Sequence, residues 1–495
     1  MSLRILYVIT IRTAVIGWLP CGIVCLSPKV APPTWSELDQ ITGWRTRQQQ
    51  SPICIDHTLL LGKGKLGTNV EDCIGTIPRL YRERNGWCIY SERVWLAMEL
   101  KGISNYETHL IDAIGDTYDG SIDEDRALLR PDMLTGKDLP QLHLPSQENN
   151  SNGGEHQLLH DGSTEASSLQ LLKHLDSLFP DSVPLWPPLH PITGRKLCSE
   201  DDVSMVAEAF NTSVPSSTES RMSSRAAYLF CYEEGYRLDT LPISKFESFL
   251  DHAETLILTQ KQKRSSKDVG PFFCGTMYPS AADVVWAPLL ERYAIQLPCL
   301  LGVDTINPRF DSNKSRRWPN LQQWYTAMDQ QLAVYKCRIK GDAQSWRKVL
   351  FVDPWWPSAD LWHPRDTVGP KGELKLTDEE VYSYFGGIDG HVDDKIWEEY
   401  SSSRPYVASE GPEMEAAAAL TRNNKAIASD AIRWIEENEH GSSEKPSLLE
   451  IDQALRCIVF LLTKTTSESQ HASEETNQYI VDHVPLVLRY LDQRM

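Results

Sequence analysis

The segment Gly86-Trp87-Cys88-Ile89-Tyr90-Ser91-Glu92-Arg93-Val94-Trp95 sets one cysteine between a stretch that reads as a strand and one that reads as a helix. The first turn of a helix leaves backbone N–H groups unpaired, and the helix dipole makes that end positive. A thiolate there is stabilised, so the spacing predicts a Cys88 thiol more acidic than the free value of about 8.5, and a nucleophile near neutral pH. Ser91 stands three residues on, where a dithiol oxidoreductase has its second cysteine. A lone thiol cannot resolve a mixed disulfide internally and depends on an outside thiol for turnover. The structural alternative is that Cys88 is a small buried apolar side chain.

Other chemistries fit less well. The eleven cysteines are odd in number and scattered, with no CxxC, which suits free thiols in a reducing compartment better than a disulfide framework. No His/Cys cluster has zinc spacing and no HExxH occurs, so no metal site is expected. Gly62-Lys63-Gly64-Lys65-Leu66-Gly67 is a formal GxGxxG, but Thr68–Gly75 carries no helical stripe to aim N–H groups at a pyrophosphate. It reads as a loop, and Thr68 after Gly67 excludes a phosphate-binding Walker loop. The formal charge of −19 (49 Lys and Arg against 68 Asp and Glu) argues against nucleic acid as a partner.

The elements that must position Cys88 follow from hydrophobic periodicity. Ile77–Tyr81 and Tyr106–Ile114 read as strands on either side of a helix over Ser91–Lys101. Leu139–Leu144 is a third extended segment, and Ser168–Phe179 is an amphipathic helix with Leu171, Leu172, Leu175, Leu178 and Phe179 on one face. That order is an α/β plan with a small sheet. Residues 200–345 read as all-α, with an apolar stripe at Phe246, Phe249, Leu250, Ala253 and Ile257. A Pro/Trp-rich linker (346–364) leads to a helical extension (365–495) with one helix over Glu413–Glu437, another around Leu448–Leu462 and a last one within 475–495. Residues 28–75 read as loop-rich. Residues 1–27 are apolar, and Arg12 keeps either part below the ~20 residues that span a bilayer. They read as a leader, cleaved on a secretory or plastid route, or else as a buried N-terminal segment of a cytoplasmic protein. No stable membrane span is expected.

Tyr81–Glu99 resembles the opening strand, loop and helix of the glutathione transferase superfamily. It is nearest the cysteine-type members (omega, lambda and dehydroascorbate reductase), whose pattern is Cys-Pro-aromatic-x-x-Arg-Val. Four more pieces follow in order: Leu139-Pro140-Gln141-Leu142, Ser167–Asp176, Gly270–Gly275 leading into Ser280-Ala281-Ala282-Asp283, and Pro319-Asn320-Leu321-Gln322-Gln323-Trp324. The resemblance covers about residues 76–345. It implies a thioredoxin-like N-terminal domain (76–185), an all-helical glutathione-transferase C-terminal domain (200–345) and, beyond them, the helical extension.

The resemblance also implies glutathione as co-substrate. Cys88 would form the mixed disulfide. The backbone of Leu139, before a cis Pro140, would pair with the cysteinyl part, and Ser168 would bind the γ-glutamyl carboxylate at a helix start. Two residues depart from the pattern: Ile89 replaces Pro, and Ser167 stands where the family has Glu or Asp. Loss of that charge-assisted bond costs roughly 1.5–3 kcal/mol. The implied activity is glutathione-dependent thiol transfer or reduction acting on a small electrophile or an oxidised or glutathionylated substrate. The alternative is a non-catalytic binding or scaffold protein on the same fold. Many members of the superfamily form homodimers, an assembly the extra segments of this chain could block.

Overall fold

The computed structural model describes residues 32–49, 78–83, 88–103, 106–111, 140–145, 156–161, 165–215, 243–301, 317–341, 394–402, 407–438, 445–464 and 483–494, with a few single positions between them. The chain divides into two compact units, one spanning Cys73–Asp389 and one built from both ends, Met1–Asp72 with Gly390–Met495.

The first described residues of the end unit lie within the stretch that reads as loop-rich from sequence. Trp35–Thr42 (α1) and Trp44–Gln49 (α2) are helical. A capping box starts α1: Glu37 N–H donates to Thr34 Oγ1 (3.3 Å), while the Glu37 carboxylate accepts from Thr34 N–H (2.7 Å). Gly43, at φ 59°, ends it in the left-handed conformation that glycine takes without strain.

The middle unit opens with β1 (Arg79–Glu83), α3 (Ile89–Leu100), β2 (Glu107–Ile111), β3 (Gln141–Pro145), β4 (His156–Asp161) and α4 (Glu165–Leu178). The strands order as β2-β1-β3-β4. β1 pairs with β2 in parallel, as it must when a helix forms the crossover. β3 runs antiparallel to both β1 and β4. β4 has no counterpart in the sequence reading, because His156-Gln157-Leu158-Leu159-His160-Asp161 lacks the alternation that marks a half-buried strand. α3 is buried at every position from Ser91 to Glu99 and packs on β1, α4 and the later helix α7, so it is the central helix of this unit.

Four longer helices follow: α5 (Glu200–Ser213), α6 (Ile243–Gln262), α7 (Ala281–Leu301) and α8 (Pro319–Gln331), then a π-helical turn at Tyr335–Ile339. Their shared core is aromatic. Trp286 of α7 stands 4.9 Å from Phe273, 5.1 Å from Phe249 and 5.3 Å from Phe210 between ring centroids. Such contacts add about 0.5–1.5 kcal/mol each beyond area burial.

The end unit resumes with α9 (Asp394–Ser402), α10 (Pro412–Arg422), α11 (Asn424–Asn438), α12 (Leu448–Lys464) and α13 (Val484–Arg494). The single helix expected over Glu413–Glu437 is two. Asn423 breaks it at φ −108°, ψ 14°, with its side-chain amide donating to Ala419 O (2.9 Å). Leu38 of α1 joins Leu420, Ile435, Ile451, Leu455, Ile458, Val487 and Leu491 in one apolar core. Trp35 Nε1 donates to Asp452 (2.6 Å), and Arg456 donates to the carbonyls of Pro32 (3.1 Å) and Pro33 (3.2 Å).

Candidate functional site

Cys88 is the N-cap of α3. Its backbone is extended (φ −75°, ψ 107°), and its Sγ accepts a hydrogen bond from Ser91 N–H at 3.4 Å. Sulfur thus takes the part that Ser, Thr or Asp usually plays. A bond from N–H to sulfur strengthens as the sulfur gains negative charge. Cys88 is half-buried, whereas the other described cysteines, Cys198, Cys274, Cys299, Cys337 and Cys457, are all buried. A hydrogen bond with Cys198, and then burial, pushes the Cys274 thiol well above its ordinary range. Burial pushes Cys457 up to about 11. Both are poor nucleophiles near neutral pH. Among the described residues, Cys88 is the cysteine that combines access with a helix-end donor.

The residues just after Cys88 lock α3 in place. Arg93 is fully buried. Its Nε donates to Val285 O in α7 (3.1 Å) and its Nη1 to Ser168 Oγ in α4 (3.4 Å). Its guanidinium lies over Phe210 of α5 (4.4 Å) and Tyr90 (5.5 Å). Glu92 pairs with Arg292 of α7 at 2.7 Å, with both side chains in the interior. Burial pushes the Glu92 carboxyl up to about 8, against the pull of Arg292. Sequence reasoning gave Glu92 and Arg292 no role. The one signal available was an adjacent Glu-Arg pair, Glu92-Arg93 and Glu291-Arg292, within each of two largely apolar helical stretches.

The other expected site residues fall as follows. Pro140 is buried just before β3, while Leu139 and its bond to Pro140 lie outside the described residues. Ser167 sits in the first turn of α4, its side chain outside the described set. Ser168 is fully buried, and its hydroxyl is engaged by Arg93. Arg93 therefore links the Cys88 helix to the Ser168 helix. The Gly62–Gly67 loop also lies outside the described residues.

The last two of the ordered motifs converge at the start of α7. The Asp283 carboxylate accepts from Ser280 N–H (2.8 Å), Ser280 hydroxyl (2.9 Å), Phe273 N–H (2.9 Å) and Trp324 Nε1 (2.9 Å). Burial pushes its carboxyl up, while these donors pull it down. The approach is tight: a Cβ on Gly270 would lie 2.0 Å from Thr276 O, and Gly275 has φ +68°. This cluster is a folding feature, since all its partners are internal.

A cleft of about 570 Å³, lined by Pro271, Pro319, Gln322, Gln323, Thr326, Ala327 and Gln331, runs along α8. It carries no ionisable lining group and so no acid–base or nucleophilic chemistry. Among the described residues no His/Cys/Asp/Glu group is arranged to hold a metal, and no helix is long and apolar enough to cross a membrane.

No family model matches the sequence, and no curated protein matches it. Two solved structures are similar in part. One is dehydroascorbate reductase from Chlamydomonas reinhardtii, with 13% identity and a TM-score of 0.31, over 56% of this chain and 97% of that one. The other is the trimeric glutathione transferase TDR1 of Leishmania, with 12% identity and a TM-score of 0.36, over 84% of this chain and 100% of that one. At those scores neither likeness decides the fold or the family.

Proposed function

We propose that the chain is a glutathione-dependent thiol transferase or reductase of the cysteine-type glutathione transferase kind, with Cys88 as nucleophile. The observation that carries this reading is the placement of Cys88: half-exposed, at the N-cap of a buried central helix, with a backbone N–H on its sulfur. The strand order β2-β1-β3-β4, with one parallel and two antiparallel pairings and α3 as the crossover, supports a thioredoxin-like domain around it.

The chemistry needs one thiol and one outside reductant. Cys88 thiolate attacks the glutathionyl sulfur of a mixed disulfide. The S–S bond breaks, the substrate leaves as a thiolate that takes up a proton, and Cys88–S–S–glutathione forms. A second glutathione thiolate then attacks the glutathione sulfur of that bond, releasing glutathione disulfide and regenerating Cys88. Ser91 in place of a second cysteine is what makes the outside thiol obligatory.

The chain's residues fit glutathione in part. Pro140 heads β3, where the backbone of Leu139 would meet the cysteinyl part. Ser168 is fully buried with Arg93 donating to its hydroxyl, so the γ-glutamyl carboxylate would be met by the positive start of α4, where Ser167 lies. That same engagement favours the second reading, a binding or scaffold protein that keeps the fold without turnover.

A turnover assay separates the two. The protein should reduce a mixed disulfide of glutathione and a small thiol at the expense of free glutathione, and Cys88→Ser should lower the rate by at least about a thousandfold. A wild-type rate no higher than the uncatalysed exchange leaves only the binding reading.

A further inference from the structure

Arg93 is the fifth residue of α3, the helix that Cys88 caps, and Ser168 is the fourth residue of α4. The Arg93 side chain is fully buried and reaches three other helices. Nη1 donates to Ser168 Oγ of α4 (3.4 Å), Nε donates to Val285 O of α7 (3.1 Å), and the guanidinium lies over Phe210 of α5 (4.4 Å). On its own helix it also lies over Tyr90, two residues from Cys88 (5.5 Å). An apolar side chain of similar volume would fill this space without the desolvation cost of a buried charge. What the guanidinium adds is direction, because its planar fork holds acceptors on two helices at one separation. The starts of α3 and α4 are thereby braced against each other and against α7.

We propose that Arg93 is a positioning residue that holds the start of α4 at a fixed span from Cys88, and that this span makes the site select glutathionyl disulfides over disulfides with short neutral arms. A glutathionyl group is held at two points, its sulfur at Cys88 and its γ-glutamyl carboxylate at the positive start of α4, and both must match it at once. A disulfide without that carboxylate meets the first point alone and is indifferent to where α4 stands. The inference rests on the glutathione reading above and deepens it by naming the residue that sets its selectivity.

The test compares two disulfides on the reduced, full-length protein: glutathione disulfide, and bis(2-hydroxyethyl) disulfide, which has no carboxylate. With either, the Cys88 thiolate attacks one sulfur, the S–S bond breaks, and the other half leaves as a thiolate that takes up a proton. The rate of adduct formation is read by intact mass and divided by the rate of the same disulfide with N-acetylcysteine. One thiolate attacks both reagents, so the ratio of the two rates is independent of its acidity. Wild type should favour glutathione disulfide by at least about tenfold, and Arg93→Met should bring the ratio to within about twofold of unity. Arg93→Lys keeps the charge but offers a single nitrogen, which cannot hold acceptors on two helices, so its ratio should fall between the two. This variant separates the fork from the charge and covers the case in which Arg93→Met does not fold. Variants that keep the wild-type ratio, including variants that slow both reactions alike, overturn the proposal and leave the glutathione reading standing. A wild-type ratio near unity overturns the glutathione reading itself, and this inference with it.

Discussion

At the scale of residues, the cap and the chemistry at position 88 can be separated. Serine is the stronger capping residue, so Cys88→Ser should keep the fold, with a thermal midpoint within about 2 °C of wild type, while removing the nucleophile. Cys88→Ala removes the acceptor on Ser91 N–H and should cost up to about 1 kcal/mol in chemical denaturation. A large loss of stability in Cys88→Ser would mean that the sulfur is a packing group. Glu92 makes a second prediction. Its folded carboxyl is raised to about 8, so above the ordinary carboxylate range the native state binds more protons than the unfolded one. Stability from this group is therefore fully present at low pH and falls as pH rises toward 8. Denaturation midpoints between pH 5 and 8 should decline less in Glu92→Gln than in wild type; parallel slopes would contradict the assignment.

At the scale of elements, Asp283 ties three segments together through four donors. Asp283→Ala leaves buried N–H groups unpaired and should cost at least about 3 kcal/mol, measured by urea unfolding, with Trp324→Phe costing about 1 kcal/mol for its one lost bond. The elements here were largely legible in sequence. The strand around Arg79–Glu83, the helix after Cys88 and the stripe of α6 follow local periodicity, and local periodicity survives folding. What was not legible has a physical cause in each case. α1 is short, and its sign was the Thr34-x-x-Glu37 box rather than a stripe. The break at Asn423 rests on one side chain bonding back to Ala419. The placement of Cys88 at a helix start was legible because a helix start is local. The burial of Ser168 was not, because it depends on Arg93, 75 residues away in sequence.

At the scale of the molecule, residues from both ends of the chain form one unit, and the residues between them in sequence form the other. The contact of Trp35 with Asp452 spans 417 residues, a pairing no window along the sequence can reveal. Leu38 is fully buried in that core, so Leu38→Asp places an unpaired charge against α10 and α12. Limited proteolysis should then cut within residues 32–49 at protease levels that leave wild type intact; an unchanged pattern would show that α1 is not held by this core.

Turnover by the proposed route requires a covalent bond between Cys88 and glutathione. Incubation of the reduced, full-length protein with glutathione disulfide, followed by intact mass, should show a single adduct of about 305 Da that is absent from Cys88→Ser. No adduct on wild type, or the same adduct on Cys88→Ser, would contradict it.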